Sequence, residues 1–255
     1  MKALIQTAGI LALSTLAATT QAKVVIFDDN LGGAAKAGSV ETAVGAYTNL
    51  QGDVWGPVLT FSDFTVTGGF SHSVNLAGRN FNKNNQITMG SLPYQDLKPQ
   101  HGGLGSLSLA SGGANSDTDN LQPNLITGAV GDEILFFDFG TSVVLDTVWF
   151  NGSHTEHTAF TNNGRNDAGD ALFTLFYSAD GVAYQATGPQ TSPMNQEYLL
   201  TGITSAYTHW AVAATGWNSA PGGYVEAIRY ATVPEPATLA LLGLGLAGLG
   251  LRSRK

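Results

Sequence analysis

The apolar positions of residues 23–230 fall into short runs, separated by clusters of Gly, Asn, Asp and Pro. No stretch holds an apolar stripe at helical spacing over three turns, so the pattern predicts strands and turns throughout. Strands are expected at residues 24–27, 58–66, 104–109, 133–139, 143–150, 172–178, 197–200, 209–213 and 224–230. In the segment EILFFDF, period two places Leu135, Phe137 and Phe139 on one face. Phe136 points the other way, and consecutive aromatics of this kind predict strands partly buried on both faces. Phe136, Phe137, Phe139, Trp149, Phe150, Phe173, Phe176 and Trp210 are the expected core. Ser178-Ala179-Asp180-Gly181 reads as the turn of a hairpin joining 173–177 to 182–186, with Gly181 supplying a positive φ. The fold class that follows is all-β: one antiparallel, jelly-roll-like β-sandwich, with enough chain for a sizeable core.

At both ends the pattern changes. Residues 3–18 are mostly apolar and follow Lys2, and Thr19, Thr20, Gln21 and Ala22 form a small, polar stretch. That three-part plan is a secretory signal peptide, so residues 1–22 are expected to be a helical leader cut by signal peptidase between Ala22 and Lys23. Residues 237–251 contain only Thr238 outside Ala, Leu and Gly, and Arg252, Arg254 and Lys255 follow. As a helix this segment reaches about 22 Å, short of the roughly 30 Å hydrocarbon core of a bilayer. Gly243, Gly245, Gly248 and Gly250 weaken it further as a helix. A short transmembrane helix is expected that holds the chain in the inner membrane only transiently, its basic end retained in the cytoplasm. The expected domain plan is signal peptide 1–22, sandwich body 23–231 and a C-terminal signal 232–255.

Charge narrows the partners. Between residues 23 and 236 there are 7 Lys and Arg against 19 Asp and Glu, a net charge of −12. Nucleic acid is excluded as a partner, because affinity for it rests on basic charge. The chain has no cysteine, so its stability comes from core burial, bound ions or partners rather than disulfides.

Val233-Pro234-Glu235-Pro236-Ala237-Thr238, then LALLGLGLAGLG, then LRSRK, resembles the PEP-CTERM sorting signal of Gram-negative bacteria that make extracellular polysaccharide. The resemblance implies recognition and processing by an exosortase, a transpeptidase-like membrane enzyme. Pro234, Glu235 and Pro236 are then the recognition residues, and Arg252, Arg254 and Lys255 with the apolar segment are the membrane-retention elements. Each part has a physical reason. The prolines lack backbone donors and disfavour helix before them, so the tripeptide stays extended where a protease can thread it. A short membrane segment that is cut away leaves no membrane helix in the mature form. GGLGSLSLASGG, NSDTDN and GDEILFFDFGTSVVLDTVWF together resemble a stretch common in the bodies of PEP-CTERM proteins, which implies a shared sandwich. FTLFYSADGVAY is similar to a hairpin of discoidin-like, galactose-binding sandwiches.

Candidate chemistry in the body is sparse. Asn115, Asp117, Asp119 and Asn120 form an oxygen-rich loop, with Asp132 and Glu133 shortly after. Calcium takes six to eight hard oxygen ligands, and this alternation turns several inward. A structural calcium held by Asn115, Asp117, Asp119, Asn120 and Glu133 is one reading; a solvated turn is the other. No Gly and Glu stand where an EF-hand needs them. His154 and His157 flank Glu156 at a spacing of three, whereas zinc protease motifs use four on a helix. Asp28 with Asp29, and Asp167 with Asp170, are carboxylate pairs of the type glycoside hydrolysis uses, without a spacing that singles them out. No nucleophile elbow, phosphate loop or dinucleotide fingerprint is present. Trp55 and Trp217 lie near turn-like sequence, where an aromatic ring either stacks on a sugar or packs at the edge of the core.

The expectation is an exported, non-enzymatic protein of the cell surface or extracellular matrix, whose partners are signal peptidase, exosortase and, transiently, the inner membrane. Two alternatives come from other classes. One is a calcium-assisted carbohydrate-binding module for exopolysaccharide, using Trp55 and Trp217. The other is a secreted hydrolase.

Overall fold

A computed structural model of the chain describes residues 22–27, 38–71, 76–97, 102–107, 121, 131–152, 171–192, 197–199, 205–215 and 223–233. The first strands are β1 (Lys23–Ile26), β2 (Ser39–Val40), β3 (Tyr47–Thr48), β4 (Val54–Trp55), β5 (Leu59–Thr60), β6 (Thr65–Ser71) and β7 (Phe81–Asn82). One helical turn, α1 (Lys83–Gln86), precedes β8 (Ile87–Met89), β9 (Leu92–Asp96), β10 (Gly103–Leu107) and β11 (Glu133–Gly152). The last are β12 (Ala171–Ser178), β13 (Ala183–Ser192), β14 (Glu197–Leu199), β15 (Tyr207–Ala214) and β16 (Gly223–Thr232). The expected all-β, antiparallel fold forms, and among the described residues the parallel β1–β2 contact is the exception to antiparallel pairing. The expected leader and membrane helices lie outside the described residues.

The organising element is β11, whose 20 residues serve two groups of strands. Its first half, from Glu133 to Asp138, lies between β6 and β15. From β15 that side continues through β12 and β13 to β7. Its second half, from Val143 to Gly152, pairs with β16, which leads through β10 and β9 to β4 and β3. The sequence suggested two strands here, 133–139 and 143–150. Gly140 joins them with φ 63°, a conformation open to glycine, while the Asp138 carboxylate accepts its N–H at 3.1 Å. Both halves face a common core. Phe150, on the second half, stacks on Phe173 of β12 with ring centroids 3.9 Å apart.

The alternation of β11 is broken once and then restored. Leu135, Phe137, Phe139, Val143 and Leu145 share the main core with Val148 and Phe150. A register shift between Leu145 and Thr147 makes the switch from odd to even positions, the work of a bulge at Asp146. Ile134 and Phe136 face the opposite side, where they meet Phe81, Phe176 and Tyr184 in a second cluster. Trp149 joins Ile26 and Ala227 in a third. All eight expected core residues are buried, and burial on both faces is the arrangement that the paired aromatics predicted.

The expected strand at 58–66 is divided. Phe61 N donates to Phe64 O at 2.9 Å, closing a turn around Ser62 and Asp63 that separates β5 from β6. Phe61 and Phe64 still point inward and stack at 4.8 Å. The expected hairpin at 178–181 forms, with Gly181 at φ 71°.

Candidate functional site

The last strand, β16, is apolar in its core-facing positions: Val225, Ile228 and Tyr230 belong to the main cluster. Its end is defined by covalent chemistry. Thr232 pairs with Val143, and Val233 N then donates to Ser142 O at 3.2 Å. The next residue is Pro234, which has no N–H to continue the ladder. Val233 is exposed at this point.

The first strand lies along the same end. β1 runs antiparallel to β16, with Lys23 opposite Tyr230. Lys23 Nζ donates to Asp63 Oδ2 at 2.6 Å and Ser62 Oγ at 2.8 Å, and sits 2.6 Å from Glu41 Oε1. The Tyr230 hydroxyl also donates to Asp63 Oδ2, at 2.7 Å. Burial opposes the charge on Lys23, but the bonds to Asp63 and Glu41 outweigh it and raise its pKa above the ordinary lysine value. The same bond from Lys23, and then that from Tyr230, hold the Asp63 carboxyl below its usual range. Burial first, and Asp63 second, push the Tyr230 phenol up. The chain therefore enters β1 at Lys23 and leaves β16 at Val233 from one end of the sheet.

Comparison with known families bears on the segment that leaves there. Residues 232–255 match the family model of the PEP-CTERM protein-sorting motif. The chain carries a PEP-CTERM sorting signal. This signal implies export toward the cell surface and an exosortase as processing partner. The match begins at Thr232, so the PEP-CTERM signal starts on the final residue of β16, with no spacer between body and signal. Pro234, Glu235, Pro236, Arg252, Arg254 and Lys255 all fall inside the match and outside the described residues. Comparison of the chain with curated proteins returns no match. Among the described residues no helix is long and apolar enough to cross a membrane.

The other candidates divide between the described and the undescribed parts. Asn115, Asp117, Asp119, Asn120 and Trp217 lie outside the described residues, as do His154, His157 and the pairs Asp28–Asp29 and Asp167–Asp170. Glu133 is buried at the start of β11, opposite Phe70. Among the described residues no three His, Cys, Asp or Glu side chains are grouped to hold a metal.

Trp55 sits in a row of three rings on β3, β4 and β9. Tyr47 is its partner on one side and Tyr94 on the other, each centroid 5.8 Å away, at interplanar angles of 25° and 27°. The indole faces are thus engaged by tyrosines, and Tyr47, 55% exposed, presents the free ring. Beneath the row, buried Asp53 accepts from Asn49 Nδ2 at 2.6 Å, Tyr94 Oη at 2.8 Å and Leu97 N at 3.1 Å. Burial works against the charge on Asp53, yet these bonds keep its pKa below the ordinary value. Sequence reasoning missed Tyr47 and Asp53. The readable trace was the turn Asn49-Leu50-Gln51-Gly52-Asp53, whose Gly52 takes φ 92°.

A polar recess of about 300 Å³ opens on the other face of the first half of β11, lined in part by Lys83, Asp138, Asp180, Tyr184 and His209. Lys83 Nζ lies 4.1 Å above the Phe136 ring, and His209 Nδ1 is 3.6 Å from Asp138 Oδ1. Burial lowers the Lys83 pKa, and Asp138 partly offsets that. Its groups are of mixed charge, and no nucleophile is aligned with the imidazole among the described contacts.

Proposed function

We propose that this chain is a non-enzymatic protein of the cell surface or extracellular matrix, delivered as a folded β-sandwich and processed at its PEP-CTERM signal by an exosortase. The observation that carries the reading is the junction at residues 232 and 233, where the sorting signal continues the central strand β16. Nothing stands between sandwich and signal, so the sandwich is itself the cargo. Its acidic, cysteine-free composition suits an exported body that stays soluble through charge. The test is mass spectrometry of the mature C-terminus in cells with and without the exosortase. A C-terminus shortened beyond Val233 only when the enzyme is present is the expected result. An unprocessed chain ending at Lys255 in both strains counts against it.

A second reading, carbohydrate binding by the body, is favoured by the ring row at Tyr47, Trp55 and Tyr94. Exposed aromatic surface beside polar groups is the chemistry that receives the apolar face of a sugar. Retention of the protein on immobilised exopolysaccharide, lost in Tyr47→Ala, is the expected outcome. Equal retention of wild type and variant assigns the row to packing alone.

A further inference from the structure

We propose that the end of the sandwich around Val233 is a docking surface for the exosortase, so that the enzyme recognises the folded body together with the tripeptide. The proposal rests on the sorting reading and adds a partner surface to it.

The argument is one of reach. Among the described residues Val233 makes the last sheet hydrogen bond, and Pro234 follows directly. Three extended residues span only about 10 Å, so an enzyme that grips Pro234, Glu235 and Pro236 must come within that distance of the sheet. A globular partner cannot hold a peptide so close to a folded body without touching the body. The surface it meets is Ser62, Asp63, Gly140, Thr141, Ser142 and Val233, all exposed. These are small or short side chains, and a recess of about 360 Å³ lies between the Phe61–Phe64 turn and the Asp138–Gly140 bend.

The alternative is that the strand end frays to supply slack. The structure limits this. Two residues before Thr232, Tyr230 is 1% exposed, packs edge-on against Phe64 and Phe139, and is hydrogen-bonded to Asp63. Fraying past Ala231 takes that ring out of the core, so the sheet releases little more than Thr232 and Val233.

The test uses the full-length chain in cells that make the exosortase, with the processed fraction read by mass spectrometry. Thr141→Trp and Ser142→Arg load the surface beside Val233 while leaving the core intact. Each is expected to lower the processed fraction severalfold with the melting temperature of the purified protein unchanged. A flexible Gly/Ser insert of about six residues between Val233 and Pro234 adds roughly 13 Å of root-mean-square reach, and it is expected to restore processing in both variants. Processing of the loaded variants at the wild-type rate overturns the proposal, and so does an insert that restores nothing. A Val144→Cys/Ala231→Cys pair, placed on facing positions of β11 and β16, closes the fraying route when oxidised. The oxidised form is expected to be processed normally, and processing of the reduced form alone overturns the docking surface in favour of fraying. Wild-type processing that is indifferent to loss of the exosortase overturns the sorting reading itself, and the docking surface with it.

Discussion

The Tyr230 hydroxyl donates to Asp63 Oδ2 at 2.7 Å, tying the strand that enters the sorting signal to the turn between β5 and β6. The same carboxylate oxygen receives Lys23 Nζ at 2.6 Å. Lys23 and Asp63 are 36% and 45% exposed, so solvent screens their attraction and the ion pair contributes about 1 kcal/mol or less. Tyr230 is buried, and its lost acceptor costs about 1–3 kcal/mol. Asp63→Asn, which keeps an acceptor, is therefore expected to be milder than Asp63→Ala. Urea midpoints of the two variants check the order.

A pH dependence follows from the hairpin at 178–181. Asp180 Oδ1 accepts from Ala183 N at 2.8 Å, Val182 N at 2.9 Å and Ser178 Oγ at 2.9 Å. Those bonds, the one from Ala183 first, lower its pKa from 3.8 to about 2. A carboxyl depressed in the folded state adds stability that is complete above its unfolded value and disappears as pH falls through the folded one. The difference in melting temperature between wild type and Asp180→Ala is thus expected to be constant at neutral pH. It should shrink between pH 3.8 and about 2. A difference that grows on acidification is the contrary result.

Gln95 is fully buried, and both ends of its amide are hydrogen-bonded. Its Nε2 donates to Phe27 O at 2.9 Å and Glu41 O at 2.7 Å, and its Oε1 accepts from Ala43 N at 2.7 Å. Gln95→Met fills the space and leaves three backbone groups to find water or remain unpaired. A loss of about 3 kcal/mol or more is expected, since each unsatisfied buried group costs about 1–3 kcal/mol. Chemical denaturation measures it, and a neutral substitution contradicts the bonding described.

Phe150 and Phe173 join the two halves of the sheet with rings 11° from parallel. Truncating either to Ala is expected to cost about 3–5 kcal/mol. Because they share one contact, the double variant should cost less than the sum of the singles. Strict additivity in that cycle places the two rings in separate environments.

Much of this architecture is legible in the pattern of residues, where the signal is local. EILFFDF announces a strand buried on both sides, and Asp180-Gly181 a tight turn, because side-chain period and glycine conformation act over a few residues. The short strands β2, β3, β4 and β7 are not legible, since two residues carry no period. Their placement depends on partners far along the chain, as with Val54 opposite Gln95. For the same reason Gln95 reads as an ordinary polar residue, although it holds three backbone groups of distant segments.

By itself the sequence determined the sorting signal that implies export toward the cell surface, and the class of fold. The sorting signal is a tripeptide, an apolar run and a basic end, so its chemistry is complete in consecutive residues. Strand periodicity and turn chemistry are likewise properties of neighbours in the chain. Only the tertiary structure decided that β11 belongs to both halves of the sheet and that Lys23 lies beside Tyr230. It also decided that Val233 is pinned to Ser142 one residue before Pro234. Those are contacts across large sequence separations, fixed by which apolar faces can be buried together, and no local pattern encodes them.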